Sequence, residues 1–452
     1  MKFITNSNDL STYLDIPIKK NIQIKDISID SRTIKKDSLF IGINGKNFNG
    51  NDYVDEAIHK GACLVITDSK KYKTCKNKNI IYVNNSISAL KKIASNILKS
   101  FDGNVVGITG SNGKTTTTKI IANVLSKSSS TLKNYNNEIG MPLSIFNAKQ
   151  NSKNLVIEMG AAKPGDIKYL SSILKPNIGV ITNIGNSHLE KLKNIKGVLK
   201  VKSELVSNIK KDGYLVVPNE NEEHLKLWKK IIRGKELITF GIEKNADFYA
   251  INIKSSIKKQ EFNIISDKYN IDHKIKTSLS GVHNIKNILA AFAVSYLIEN
   301  SPKLFNQRLE KGAQVRQKQK KWIRGSLLID DTYNANPESV KKAIDFLSNS
   351  NKRKVFIMGD MLELGRYRKK MHADVGQYAR RKKVDVFLGF GELTKYAVSG
   401  YGKNGLFFNN ENDIKKFIKE NIKGGDIVLI KGSRGMKMER FINVWIFRHY
   451  SC

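Results

Sequence analysis

Short apolar runs alternate with stretches of helical periodicity along most of the chain. Leu155-Val-Ile-Glu158, Ile178-Gly-Val-Ile-Thr182 and Tyr214-Leu-Val-Val-Pro218 are nearly continuous in apolar residues. Runs of this kind predict a parallel sheet covered on both faces. The same rhythm returns in Leu327-Leu-Ile-Asp330, Val355-Phe-Ile-Met358, Val384-Asp-Val-Phe-Leu388 and Ile427-Val-Leu-Ile430. Before residue 100, the segments Ile27–Arg32 and Asp37–Gly45 precede a helix-like Val54–Lys60 and a further strand pattern over Gly61–Thr67. That order predicts a small α/β module. The stretch from Arg308 to Lys321 is charged and poor in apolar residues, as a hinge or linker is. The expectation is an α/β chain in three parts, 1–100, 101–312 and 313–452. A chain of 452 residues is too long for one core in any case.

One strand–turn–helix unit carries a specific chemistry. Asn104-Val-Val106 leads into Gly107-Ile-Thr-Gly-Ser-Asn-Gly-Lys-Thr-Thr116, and a helical pattern over Lys119–Leu125 follows. Glycines let backbone N–H groups approach phosphates, and a helix N-terminus faces the anion. Lys114 reaches the outer phosphates, and the Thr115 hydroxyl suits Mg²⁺. Ile108 stands where a strict phosphate loop has its first glycine. ATP is the expected ligand, with Gly107, Thr109, Gly110, Ser111, Asn112, Gly113, Lys114, Thr115 and Thr116 around it.

Further candidates lie at strand ends, which form the ligand edge of an open α/β sheet. Glu158 closes one apolar run and suits a Mg²⁺ ligand or, blandly, a helix-capping acid. His188, in Thr182-Asn-Ile-Gly-Asn-Ser-His188, follows another. Lys202 taken alone reads as an exposed helix lysine. In Gly281-Val-His-Asn-Ile-Lys-Asn287 the amides of Asn284 and Asn287 can read an adenine edge, or His283 or Asn284 can cap a helix. In the last part, Asp330–Pro337, Gly359–Gly365 and Lys431–Glu439 each close a strand with polar residues. Three such turns in one module predict a binding face opposite the ATP site.

Composition narrows the setting. The formal net charge is +37, but the lysines are spread over the whole length and accompany abundant Ile and Asn. The charge therefore reads as composition that can steer anionic nucleotides, with no nucleic-acid partner expected. Cys63, Cys75 and Cys452 form neither a disulfide framework nor a zinc site. No apolar run is long enough to span a bilayer, and Met1–Leu10 makes a poor signal peptide. A cytoplasmic monomer without membrane insertion is the expectation.

With these motifs in hand, the chain resembles the Mur ligases, the ATP-dependent amide-forming family of peptidoglycan precursor synthesis, over nearly its whole length. The family's phosphate loop is matched by Thr109–Thr116, and its Asn-Asn-x-x-Gly-x-Pro segment by Asn136–Pro142. The resemblance implies a small N-terminal UDP-substrate module, a central P-loop-type mononucleotide-binding parallel sheet and a C-terminal Rossmann-like α/β domain. It implies catalytic roles for Lys114, Glu158, His188 and Lys202. Thr115, Glu158, His188 and Lys202 would hold Mg²⁺, with Lys202 carbamylated. That carbamate requires a neutral amine, hence a pKa lowered by nearby positive charge. Asn284, Asn287, Arg316 and Asp331 would join the ATP contacts. Ser31, Arg32, Asn136, Asn137, Asn334 and Asn336 would contact the other substrates.

Within the family, Asp330–Pro337 and Gly359–Gly365 resemble the branch that joins D-alanyl-D-alanine to a UDP-linked muramoyl tripeptide through an acyl phosphate. The Asp-Asn-Pro-Arg of the diaminopimelate-adding branch is missing. Two motifs depart from the family: its Asp-Gly-His-(Asp/Asn) reads Asn49-Gly-Asn-Asp52, and its Gly-Arg reads Val315-Arg316. The competing readings are a sister ligase for another amino acid, a P-loop ATPase acting on nucleic acid, and a non-catalytic nucleotide-binding scaffold.

Overall fold

The computed structural model describes residues 3–18, 20–45, 48–256, 259–312 and 318–443. Arg316, Cys452 and the expected boundary at 312/313 fall at or beyond the limits of the described residues. Three sheets organise the chain, of four, nine and six strands. The first is parallel throughout and runs Asp26–Ser28, Ser38–Ile41, Ala62–Thr67, Ile80–Tyr82.

The central sheet has Asn104–Thr109 between Asn154–Glu158 and Ile178–Ile181, all parallel. These strands are buried along almost their whole length, as helices on both faces require. Tyr214–Pro218 and Glu236–Gly241 extend it in parallel on one side. Phe248–Ser255, Gln260–Ser266 and Ile271–Thr277 then add an antiparallel flap at the far edge. The flap was not among the predicted strands. Its burial alternates along Gln260–Ser266, and along Ile271–Thr277 the buried Ile271, Ile275 and Thr277 are separated by Asp272, His273, Lys274 and Lys276. It forms no continuous run of the kind that marked the others.

The third sheet has the order Lys318–Lys321, Leu327–Asp331, Ile427–Lys431, Lys354–Gly359, Val386–Phe390, Gly405–Phe408. All neighbours are parallel except the first pair. The strand expected at Val384–Leu388 begins two residues later, because Asp385 is used to accept a bond from Lys354 N–H at the sheet's start. The α/β class in three sheets agrees with the sequence reading. The first part is not packed alone, however. Ile93 and Ile97 of helix Ser86–Ser100 share one apolar cluster with Phe146 and Leu170 of the central part. That shared core fixes the first sheet's position relative to the phosphate loop.

Candidate active site

The phosphate loop folds because its glycines take backbone geometry that other residues resist. Gly110 and Gly113 have φ of 146° and 79°. A Cβ on Gly110 would collide with Thr182, and one on Gly113 with Asn287, so both positions also need close approach. Helix Lys114–Val124 starts at once, its N-terminus unblocked by any capping side chain. The Lys114 ammonium folds back on Gly110 O at 2.7 Å. The Thr115 hydroxyl donates to Glu158 Oε2 at 2.7 Å, and Asn136 Nδ2 donates to Glu158 Oε1 at 2.8 Å. Glu158 is only 3% exposed, so these bonds stabilise a buried carboxylate at the sheet's ligand edge.

The loop is also laced to the segment after strand Ile178–Ile181. Ser111 Oγ exchanges bonds with Gly185 O and N at 2.9 Å each, and Asn112 N donates to Asn183 Oδ1 at 2.9 Å. That segment ends at His188, which takes a left-handed conformation. His188 Nδ1 lies 2.5 Å from Glu363 Oε2, a close polar contact across to the third sheet's side. Glu190 N–H donates to Glu363 O in the same junction at 3.1 Å.

A cavity of about 960 Å³ opens between the loop and the third sheet. Lys114, Thr115, Asn136, Asn137, Glu158 and His188 line it from the central part, and Asp331, Asn334 and Asn336 from the third. Asn284 and Asn287 also reach its wall, though their amides are engaged. Asn284 Nδ2 donates to Ser280 O at 2.7 Å, and Asn287 Oδ1 accepts from Thr117 Oγ1 at 3.3 Å. Ile87, at the start of the helix following the first sheet, also lines it.

Several expected residues lie elsewhere. Gly107 is inside its strand, where a Cβ would press on Met159 and Leu174, and it is absent from the cavity wall. Thr109 is likewise fully buried, and neither it nor Gly110 lines the cavity. Ser31 and Arg32 sit at the ligand edge of the first sheet, outside the cavity. Arg32 makes a forked pair with Asp30 at 2.9 and 2.8 Å. The Asn51 that replaces the family's histidine is a structural knot: it accepts from Thr67 Oγ1 and donates to Asp68 Oδ1, both at 2.7 Å.

Lys202 corrects the plain reading of an exposed helix lysine. It lies in the last turn of helix Ile195–Ser203 and is 1% exposed. Burial first, and the Lys114 charge second, push its amine down to about 7. An apolar pattern, Val198 and Val201 beside it, is what carries it inward.

Sequence reasoning placed Lys431 in a polar turn and His283 at a helix start without giving either a partner, and it passed over Lys342. Lys431 is 3% exposed and donates to Asp331 Oδ2 at 2.7 Å and Asn334 O at 2.8 Å. Lys342 lies on helix Pro337–Ser348, where burial lowers its pKa. Burial, then Lys342 and Lys431, hold the His283 imidazole neutral with a pKa pushed down to about 3. The signal for Lys431 was present, since it follows the apolar run Ile427–Ile430. Nothing in the sequence marked Lys342 among so many lysines.

Hard oxygen donors are what Mg²⁺ prefers, and it usually keeps several waters beside one or two carboxylates. The Thr115 hydroxyl next to the Glu158 carboxylate fits that demand. No group of three or more His, Cys, Asp or Glu suited to a metal occurs among the described residues. The donor set therefore suits an ion completed by phosphates and water.

Fold and site together define a nucleotide-binding enzyme whose phosphate loop faces a second α/β domain across a cleft. The comparisons narrow this. Residues 108–295 match the Mur ligase middle domain, 314–434 the Mur ligase glutamate ligase domain, and 23–98 the Mur ligase family catalytic domain. The chain belongs to the Mur ligase family. It is 33% identical over 440 residues to the UDP-N-acetylmuramoyl-tripeptide–D-alanyl-D-alanine ligase of Buchnera aphidicola subsp. Baizongia pistaciae, covering 95% of this chain and 94% of that one. Among solved structures it is similar to MurF from Acinetobacter baumannii, with a TM-score of 0.85, 26% identity and 96% of each chain covered. It is similar too to MurF ligase from Thermotoga maritima in complex with ADP, with a TM-score of 0.80 and 28% identity, covering 93% of this chain and 96% of that one. No helix among the described residues is long and apolar enough to cross a membrane.

Proposed function

We propose that this chain joins D-alanyl-D-alanine to a UDP-linked muramoyl tripeptide at the expense of ATP. The observation that carries this reading is the single cavity in which the phosphate loop, buried Glu158 and the strand ends of the third sheet meet. Its full-length similarity to ligases of that name supports the choice of substrates. The domain limits we adopt are 1–100, 101–312 and 313–452.

A carboxylate does not acylate an amine at neutral pH, because oxide is a very poor leaving group. The tripeptide's terminal carboxylate oxygen attacks the γ-phosphorus of ATP, the bond to ADP breaks, and an acyl phosphate results. Lys114 and the loop N–H groups meet the charge that develops on the transferring phosphoryl group. The amine of D-alanyl-D-alanine then attacks the acyl carbon, phosphate departs, and the amine loses a proton.

Mg²⁺, when bound at Thr115 and Glu158, would neutralise phosphate charge. His188 and Lys202 are assigned to a second ion. For Lys202 this requires that its neutral amine add to CO₂, forming an N–C bond and releasing a proton. Its lowered pKa supports that step. Asn287 is assigned to adenine, and Arg316 and Asp331 to ribose or phosphates. Asn136, Asn137, Asn334 and Asn336 are assigned to the peptide substrates, and Ser31 and Arg32 to the UDP group.

Phosphate release tests the reading. It should require the UDP-linked tripeptide and rise sharply on adding D-alanyl-D-alanine. Release that ignores the tripeptide, or that follows another amino acid instead, would overturn the assignment.

A further inference from the structure

The third domain touches the phosphate loop itself, and it does so through one carboxylate. Glu338 lies in the first turn of helix Pro337–Ser348, where an acid is favoured by the helix dipole. Its Oε1 accepts from Asn186 N–H at 2.9 Å, and its Oε2 accepts from Asn112 Nδ2 at 3.4 Å. Asn336, the N-cap of the same helix, donates from Nδ2 to Asn112 Oδ1 at 2.7 Å. The Asn112 amide is thus held at both ends by the third domain. Its backbone is held by the central one: Asn112 N–H donates to Asn183, and Asn112 O accepts from Thr182 Oγ1 at 2.6 Å.

Gly185 makes this contact possible. The three atoms nearest to a Cβ built there all belong to the Glu338 carboxyl group, which it would overlap. Gly185 does not have a left-handed φ, so backbone freedom is not what it supplies there. What it supplies is a notch for Glu338. Ser111 and Ser187 are bonded to each other beside that notch, and His188 follows directly. A carboxylate seated at Gly185 therefore fixes the loop on one side and the approach to His188 on the other.

We infer that Glu338 is a positioning residue that docks the third domain into the Gly185 notch and sets the phosphate loop, through Asn112, for phosphoryl transfer. It touches no reacting atom. Its action is to make loop geometry conditional on docking, so that phosphoryl transfer proceeds only with the third domain in place. This rests on the ligase reading above and adds a residue and a contact to it.

A double-mutant cycle tests the inference. Gly185→Ala puts a methyl group into the notch without backbone strain. It should lower kcat by roughly tenfold or more, the scale of one charged hydrogen bond, with KM for the UDP-linked tripeptide unchanged. Adding Glu338→Ala removes the clashing group and should return Gly185→Ala to the rate of Glu338→Ala alone, a non-additive result. Solution scattering with a non-hydrolysable ATP analogue and the UDP-linked tripeptide should show compaction in the wild type and its loss in Gly185→Ala, in Glu338→Ala and in the double variant alike; compaction retained by Glu338→Ala would overturn the inference. Wild-type turnover by Gly185→Ala, or purely additive effects in the cycle, would overturn the inference. If Gly185→Ala does not fold, Glu338→Gln is the second variant. A lowered kcat at unchanged melting temperature supports the docking role, and an unchanged kcat overturns it. The scattering cycle needs no turnover, so it judges the docking contact even if the ligase assay fails in the wild type.

Discussion

Replacing Lys202 with methionine should make this protein more stable and nearly inactive at once. The side chain is 1% exposed, and its pKa falls from 10.5 to about 7, burial being the main cause. The difference, 10.5 − 7 = 3.5, corresponds to ~5 kcal/mol of preference for the neutral amine. The folded pKa lies below the unfolded one, so the unfolded chain binds more protons between about pH 7 and 10.5. Stability therefore rises with pH across that window. The penalty is full below about pH 7 and gone above about 10.5. Methionine is unbranched like lysine and shorter by only its terminal atom, so it largely fills the same space and removes the penalty. Thermal unfolding in metal-free, CO₂-free buffer is the assay, at pH 6.5, 8.5 and 9.5. Lys202→Met should melt about a few degrees above the wild type at pH 6.5, and the gap should narrow toward pH 9.5. In the phosphate-release assay it should lose roughly 10²-fold or more, the scale of losing a charge-stabilising group. A variant that melts lower at pH 6.5, or by an amount independent of pH, would refute the burial argument. One with wild-type turnover would make Lys202 an ordinary core lysine.

Lys114→Ala should keep the fold and lose roughly 10²-fold in kcat, because it removes the cation assigned to meet the transferring phosphoryl group; near-normal ligation by the folded variant would sink that role. Glu158→Gln keeps an oxygen for Thr115 to donate to but removes the charge. It should raise the Mg²⁺ concentration needed for half-maximal rate by about tenfold or more, and an unchanged Mg²⁺ dependence would count against the metal assignment. His372 is fully buried, accepts at Nε2 from Met361 N–H at 2.9 Å, and has its pKa lowered chiefly by burial. Its folded pKa lies below the unfolded value, so it withdraws stability as pH falls below about 6.5. Melting curves between pH 7 and 5 should be steeper for the wild type than for His372→Gln, and parallel curves would contradict a neutral imidazole at that site.

The fold was legible wherever one physical signal dominated. Ile178–Ile181 and Ile427–Lys431 are buried at every position, so their apolar runs marked them as interior parallel strands. Ile271–Thr277 is buried at only some positions and carries lysines between them, which hid it. At the site, the phosphate loop was readable because glycine, lysine and threonine each answer a local demand of phosphate binding. Glu158 and His188 were readable from their place after strands. Glu338 and Glu363 were not, because their meaning lies in what another domain presents to them. Glu338 is 226 residues from Asn112, and only the folded chain brings the two together. Lys342 was hidden for a different reason: in a chain with a net charge of +37, one more lysine carries no signal.

The asparagines show why a motif alone does not assign a role. Asn51, Asn284, Asn287 and Asn336 all stand in segments that resemble ligand-binding motifs, yet each makes bonds that the fold itself needs. Asn336 caps helix Pro337–Ser348 through Oδ1, bonding Ser339 N–H at 2.9 Å, and spends its Nδ2 on Asn112. Asn287 links Thr117 in the helix after the phosphate loop to Asn284 through its Nδ2 at 3.2 Å. An amide has two donor hydrogens and an acceptor oxygen with two lone pairs, so some capacity remains in each. Asn287 and Asn336 line the cavity, so the bonds they make within the fold orient their amides at its wall. Asn51 does not line it, and its bonds to Thr67 and Asp68 account for it within the first sheet. The same residue type in similar motifs therefore divides by location: at the cleft its fold bonds leave an amide on the cavity wall, where the ligase reading assigns it a ligand, and away from the cleft the fold alone accounts for it.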